Sequence, residues 1–237
     1  MIHISIVNPT YNERENIAPL LKQWMSVVEN RQEKLEIIVV DDNSPDGTAD
    51  AARVFSAEFE YLRVIKSESR KGISAAWVCG CEQSRGEYIG IMDADLCHSP
   101  SDFMQLYDKC RSENIDMVIG SRYLESSQGM RGKSLAAILA SHIAQIFIRM
   151  LFRIALSDAT HSFRIFKKDL VNQIIPNIGS KGNSWLMEFS LMVVQLGYRV
   201  SEHPISYGTR TFGKTKLNLG KEGFRFLWRM VILKSKL

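Results

Sequence analysis

Five short apolar runs rich in β-branched residues mark the first 120 residues, and each of the first four leads into a stretch long enough for a helix. The predicted strands are Ile2–Val7, Leu35–Val40, Leu62–Ile65, Tyr88–Met92 and Met117–Gly120. Helices are expected between them near Glu15–Glu29, Thr48–Glu58, Ser74–Ser84 and Ser101–Glu113. This alternation implies an α/β protein with a mostly parallel, doubly wound sheet and helices on both faces. Such a sheet opens its ligand crevice at the C-terminal ends of its strands. The residues there are Asn8–Glu13, Asp41–Thr48, Lys66–Gly72 and Asp93–Asp95, all polar and rich in turn formers.

The last of these turns carries the most chemistry. Asp93-Ala94-Asp95 places two carboxylates one residue apart at the mouth of a buried strand, which is costly unless a cation lies between them. A hard divalent ion, Mg²⁺ or Mn²⁺, takes a few carboxylate oxygens together with substrate phosphates and meets that need. Helix capping is the plain alternative, since Ser99, Ser101 and Asp102 follow closely.

Charge is distributed unevenly. Residues 1–120 hold 12 Lys/Arg against 20 Asp/Glu, whereas residues 121–237 hold 18 against 6. An acidic half followed by a basic one suits an anionic substrate, an anionic membrane surface, or both. Nucleic acid is not expected as a partner, because the basic residues lie among long apolar stretches. The four cysteines show no C-x-x-C spacing, and Ile2–Val7 reads as a strand rather than the core of a signal peptide, so a reduced, cytoplasmic chain is expected.

The pattern assigns no strand beyond Gly120. Leu135–Leu156 is apolar at helical spacing but interrupted by His142, Arg149 and Arg153, which argues against a membrane span. The last segment sets Lys221, Arg225 and Arg229 on one face and Phe224, Leu227, Trp228 and Val231 on another, the composition of an interfacial helix. A surface helix packed on its own domain is the alternative for both stretches.

Six motifs resemble the family 2 glycosyltransferases of the GT-A fold, and within them the polyprenol-phosphate sugar synthases typified by dolichol-phosphate mannosyltransferase. They are Asn8-Pro-Thr-Tyr-Asn-Glu13, Ile37-Ile-Val-Val-Asp-Asp-Asn-Ser-Pro-Asp-Gly-Thr48, Ile91-Met-Asp-Ala-Asp-Leu96, Gly120-Ser-Arg-Tyr123, Ser157-Asp-Ala-Thr-His-Ser-Phe-Arg164, and Pro204-Ile-Ser206 leading to Arg210-Thr-Phe-Gly-Lys-Thr-Lys-Leu217. The resemblance implies one catalytic domain over 1–237: a nucleotide-sugar half (1–120), an acceptor half (121–217) and a basic amphipathic tail (218–237). It implies that Pro9, Tyr11, Glu13 and Asp42 hold base and ribose, that Lys71 lies near the nucleotide, and that Asp93, Ala94 and Asp95 meet the diphosphate, with the metal on Asp93 and Asp95. The donor is then GDP-mannose or a UDP-sugar.

If the acceptor is a polyprenyl phosphate, the nucleophile is already an anion near neutrality, because a second phosphate pKa lies near ~6. Cations that position it are needed more than a base. Arg122, Arg131, Arg164, Arg210 and Lys216 are the candidates, and Asp95, Arg210 and Lys216 are expected to be catalytic. Glu188 is expected to orient an arginine or the sugar, or to form a structural ion pair. The enzyme is expected at the cytosolic face of a membrane, held there by amphipathic segments or by a membrane-anchoring partner protein.

Four positions depart from the family pattern: Cys97 for Gln or Ser, Ala137 for an Arg, His161 for Gly, and Leu186 for Gln. All four lie on the sugar and acceptor side, so mannose is not dictated. Cys97 is read as buried filler. Alternatives are a saccharide acceptor, whose hydroxyl needs a carboxylate base and against which the isolated Asp158, Asp169 and Glu188, with no paired carboxylates, argue, and a non-catalytic relative that binds nucleotide or membrane.

Overall fold

The computed structural model describes residues 2–125, 127, 135–206, 208, 212 and 219–236. The first half follows the expected alternation: β1 (Ile4–Thr10), α1 (Arg14–Glu29), β2 (Leu35–Asp41), α2 (Thr48–Arg53), β3 (Leu62–Lys66), α3 (Ile73–Gln83), β4 (Tyr88–Ile91), α4 (Pro100–Ser112) and β5 (Met117–Ser121). The second half contains α5 (Leu135–Phe152), β6 (Arg164–Lys167), α6 (Asp169–Ile174), α7 (Ser184–Gln195), β7 (Val200–Pro204) and α8 (Leu219–Lys236).

The seven strands lie in the order β3-β2-β1-β4-β6-β5-β7. All pairs are parallel except those of β6, which is antiparallel to both β4 and β5. Arg164 therefore pairs with Ile91 and Lys167 with Tyr88, so β6 starts where β4 ends. The segment that enters β6 arrives at the crevice, beside Asp93 and Asp95.

β1 begins two residues later than expected and runs on through Asn8, Pro9 and Thr10, which pair with Val39, Val40 and Asp41 of β2. On its other side β4 pairs only as far as Val7. A residue without an N–H is tolerated where one neighbour has already ended. β6 and β7 escape the sequence reading for a physical reason. They are four and five residues long, and the partly buried β7, Val-Ser-Glu-His-Pro, shows no apolar alternation.

Burial on both faces explains the unbroken apolar runs. One face packs Val7, Ile38 and Val40 against Trp77, Trp185, Phe189 and Met230 from α3, α7 and α8. The opposite face packs Ile6, Ile37 and Val39 against Leu20, Trp24, Phe103 and Tyr107 from α1 and α4. The fit is close: a Cβ at Gly90 would lie 2.2 Å from Cζ of Phe103. No disulfide joins Cys79, Cys81, Cys97 and Cys110, and burial raises the Cys81 and Cys110 thiols well above their ordinary range.

Candidate active site

The crevice is built from turns that hold one another. Asn8, fully buried, donates from Nδ2 to the Met92 carbonyl (2.8 Å), joining the end of β1 to the turn after β4. The Asp42 carboxylate accepts from the backbone N–H groups of Lys71 (2.7 Å) and Gly72 (2.8 Å). Gly72 has φ +92°, a conformation that favours a residue without Cβ. Asp42 thus fixes the loop that carries Lys71, whose side chain stays exposed. Glu13 is buried and accepts from Asn16 Nδ2 (2.6 Å), while its own N–H donates to Thr48 Oγ1 (3.0 Å). Tyr11 carries the Arg70 guanidinium over its ring, 3.9 Å from the centroid. Arg70 was missed by the sequence reading, which offers no signal for it beyond its place beside Lys71.

A cleft of about 390 Å³ opens here, lined by Asn12, Glu13, Asn16, Pro45, Asp46 and Phe212 among others. Phe212 belongs to the Arg210–Leu217 stretch, and its carbonyl accepts from Asn16 Nδ2 (3.4 Å). Gly208 N–H donates to the Cys97 carbonyl (2.9 Å). The described points of this loop therefore touch the first 120 residues, at Asn16 and Cys97. Arg131, Arg210 and Lys216 lie outside the described residues.

At the carboxylate pair, Asp93 Oδ2 accepts from Ser162 Oγ (2.7 Å) and Asp95 Oδ1 accepts from Cys97 N–H (3.1 Å). Asp95 thereby closes a tight turn in which Leu96 takes φ 61°. Asp93 and Asp95 are partly buried residues, with Asp93 Oδ1 shielded from solvent, and Ala94 between them is buried. Cys97 is buried, as expected of filler. Among the described residues no group of three or more His, Cys, Asp and Glu side chains could hold a metal ion. Two hard-oxygen carboxylates without a closed cage suit an ion that completes its coordination with substrate phosphates and water. The residues present fit Mg²⁺ or Mn²⁺.

Behind this turn two histidines meet. His98 Nδ1 lies 3.2 Å from the Ser206 carbonyl and His98 Nε2 lies 3.3 Å from His161 Nε2. A carbonyl only accepts, so His98 carries its proton on Nδ1, and His161 donates from Nε2 to the bare Nε2 of His98. His98 also stacks on Phe163, with centroids 4.4 Å apart. Burial lowers the His98 pKa to about 4 and pushes that of His161 well below its ordinary value. An unfolded histidine takes a proton below about 6.5 whereas the folded pair resists it, so stability is lost as the pH falls below that value. From pH 6.5 to 5, His98 alone contributes a loss of about 2 kcal/mol. Urea unfolding at pH 7 and pH 5 should give a lower midpoint at pH 5, with the difference shrinking in a His98→Asn, His161→Gly double variant. Equal wild-type midpoints would remove the neutral pair.

The basic half supplies Arg122 at the end of β5. Its Nε and Nη2 donate to Asp158 Oδ2 (2.7 Å) and Oδ1 (2.9 Å), and Asp158 is fully buried. Arg164 is placed differently from expectation. It is fully buried, donating from Nε to the His161 carbonyl (2.9 Å) and from Nη1 to the Leu186 carbonyl (3.2 Å) and Ser190 Oγ (3.0 Å). Its Nη2 reaches the Ala159 carbonyl (3.4 Å) and the His161 carbonyl. Burial lowers its pKa to about 9. This guanidinium faces the interior and ties a loop to α7; it is not available to an acceptor phosphate.

Glu188 orients an arginine, one of its expected roles. It accepts from the N–H groups of Gly179 (3.2 Å) and Ser180 (2.8 Å) and from Arg229 Nη2 (3.1 Å). Burial raises its carboxyl pKa, and these hydrogen bonds more than offset that. Arg229 is therefore turned inward to α7 and does not join an outer basic face of α8.

The family model described as Glycosyl transferase family 2 matches residues 5–175. The chain belongs to that family. Polyprenol monophosphomannose synthase of Mycolicibacterium smegmatis is 30% identical over 218 residues, covering 90% of this chain and 80% of that protein. Dolichol-phosphate mannosyltransferase of Pyrococcus furiosus is 32% identical over 232 residues, covering 94% of this chain and 61% of the longer protein. Glucosyl-3-phosphoglycerate synthase of Mycobacterium tuberculosis, solved with Mn²⁺, UDP and phosphoglyceric acid, superposes with a TM-score of 0.74 at 16% identity, covering 98% of this chain and 78% of that one. The fold is GT-A, and the chain is a glycosyltransferase.

The family 2 fold thus gathers Pro9, at the end of β1, with Tyr11, Glu13, Asp42, Lys71, Asp93 and Asp95, on the turns after β1, β2, β3 and β4, at one end of the sheet. Arg122 follows β5 at that same end. His161, where the family pattern has Gly, is a buried partner of His98, and Leu186 is a buried core residue whose carbonyl receives Arg164. The side chain of Ala137 lies outside the described residues.

Proposed function

We propose that this enzyme transfers a hexose, mannose or a close relative, from GDP-mannose or a UDP-sugar to a polyprenyl phosphate, with inversion and with a divalent metal ion. The activities for which the M. smegmatis and P. furiosus relatives are named support the lipid acceptor, and the Mn²⁺ and UDP in the M. tuberculosis structure support the metal and donor class.

One observation carries the choice of acceptor. A hydroxyl acceptor needs a positioned base, and the three carboxylates singled out from the sequence for that role are unavailable. Asp158 is fully buried against Arg122, and Glu188 is tied to Arg229 and two amides. Asp169 follows β6, whose antiparallel direction places it at the opposite end of the sheet. A phosphate monoester needs no such base, since it is ionised near neutrality.

Arg122 then receives the acceptor phosphate with a guanidinium that is already aimed, and Arg210 and Lys216 add charge. This positioning offsets the repulsion between the acceptor phosphate and the donor diphosphate. Asp93 and Asp95, held by Ser162 and the Cys97 amide, are the residues that would hold the metal. When bound, the metal offsets charge gained by the leaving nucleoside diphosphate. Attack from the face opposite the leaving group inverts the anomeric carbon.

The membrane side is read from α5. Leu135, Leu139, Ile143, Ile146, Phe147 and Met150 are exposed along it, with Trp228 and Val231 exposed on the neighbouring α8. α5 has no acidic residue, and Arg149 and Arg153 flank a recess of about 290 Å³ near its end. This is the character of a helix lying in a lipid interface. No helix among the described residues is long and apolar enough to cross a membrane. Docking would occur at the cytosolic face, through these helices or an anchoring partner.

The test is transfer of radiolabelled sugar from GDP- and UDP-sugars to polyprenyl phosphate with Mg²⁺, Mn²⁺ or chelator. Metal-dependent label in the organic phase is expected. Metal-dependent donor binding without any lipid product would overturn the lipid acceptor.

A further inference from the structure

Glu202 sits on β7 opposite Ile119 of β5, two residues before the Pro204-Ile-Ser206 motif but outside it. Its carboxylate accepts three hydrogen bonds from two consecutive residues. Oε2 takes Ser157 N–H (2.8 Å), and Oε1 takes Ser157 Oγ–H (2.8 Å) and Asp158 N–H (2.8 Å). Because Ser157 gives its only hydroxyl proton to Glu202, the 2.6 Å contact between Ser121 and Ser157 has Ser121 donating. Ser121 immediately precedes Arg122. The same turn presents Asp158, which grips Arg122 at two guanidinium nitrogens and its backbone N–H while Gln145 and Thr160 approach Oδ1 (3.4 and 3.3 Å).

We propose that Glu202 is a positioning residue for transfer: it fixes the 157–158 turn, the turn aims Asp158, and Asp158 holds Arg122 where the acceptor phosphate arrives. This rests on the reading of Arg122 as a phosphate ligand. Only a carboxylate can do the job. All three groups facing it are donors, so an amide of the same shape sets N–H against N–H or O–H on one side.

The proposal is tested at two levels. The Arg122 Nε–H proton, enclosed by Asp158, should exchange slowly in the wild type, followed by nitrogen-15 NMR, and rapidly in Glu202→Gln. Slow exchange in both would overturn the proposal whatever the acceptor is. In the transfer assay, Glu202→Gln should raise the KM for a short polyprenyl phosphate about tenfold, with the donor KM unchanged. In an Arg122→Ala background the same substitution should change it by less than about twofold, since coupled residues do not add. Should Glu202→Gln multiply the Arg122→Ala effect in full, or do nothing where Arg122→Ala is severe, Glu202 loses its role and the phosphate reading stands. If Arg122→Ala leaves the acceptor KM unchanged, the reading of Arg122 fails and the proposal fails with it. Ser157→Ala removes one donor and keeps both backbone bonds. If Glu202→Gln does not fold, Ser157→Ala must give a smaller rise in acceptor KM and faster Nε–H exchange, and wild-type values for both would overturn the proposal.

Discussion

Asp95→Asn lowers kcat by about a thousandfold, while its melting temperature stays within a few degrees of the wild type. The activity loss follows from charge. A carboxylate pair that shares a divalent ion with a diphosphate contributes several kcal/mol where negative charge develops, and about 4 kcal/mol corresponds to that factor. The retained stability follows from geometry. Asp95 Oδ1 accepts the Cys97 N–H, and the amide oxygen of asparagine keeps that bond. Asp95→Ala loses both, leaving Leu96 in a left-handed conformation without the bond that closes its turn. The two variants together separate metal binding from turn closure. Donor binding measured against Mn²⁺ concentration should shift to higher metal in Asp95→Asn. A purified, folded Asp95→Asn enzyme with full turnover would remove the carboxylate pair from the mechanism.

Arg164→Met produces the largest loss of stability, about 3–5 kcal/mol, seen as a fall of about 10 °C in melting temperature for a chain of this size. Five donors disappear from a fully buried site, leaving the carbonyls of Ala159, His161 and Leu186 without this partner. Arg164→Lys should also melt early, because a point charge with three rotatable donors does not reproduce a planar fork. A phosphate ligand would behave in the opposite way, with little change in melting and a raised acceptor KM. Thermal unfolding beside acceptor kinetics distinguishes the two, and an unshifted melt would restore Arg164 to the acceptor site.

Arg164 also shows where sequence reading reaches its limit. Asp93, Asp95, Asp42 and Glu13 were legible because a parallel sheet must put its polar turns at one end, and each follows a fully buried apolar strand. Arg164 opens a four-residue strand, too short for any period to say which way its first side chain points. Next to Ser162 and Phe163 it looks like a ligand, yet it is enclosed by α7. Glu202 was illegible for a related reason, since the partly buried β7 has no apolar face to mark it. His161 was noticed only as a departure from Gly, and its partner His98 was not noticed, because their meeting joins two loops distant in sequence. Asp42 was found for the right place but acts through two backbone amides, which no side-chain motif records.

The reversed strand has a consequence for biogenesis. β5 leaves the ribosome before either of its neighbours, β6 and β7, has been made. Until β6 enters the gap beside β4, the edge of β4 and both edges of β5 present unpaired N–H and C=O groups, the surface through which nascent chains associate wrongly. A polypeptide stopped after residue 120 would hold every donor-side turn and still lack the strand that closes its sheet. The proposed chemistry would divide this enzyme into a donor half and an acceptor half; folding does not, because the strands of both interleave in one sheet.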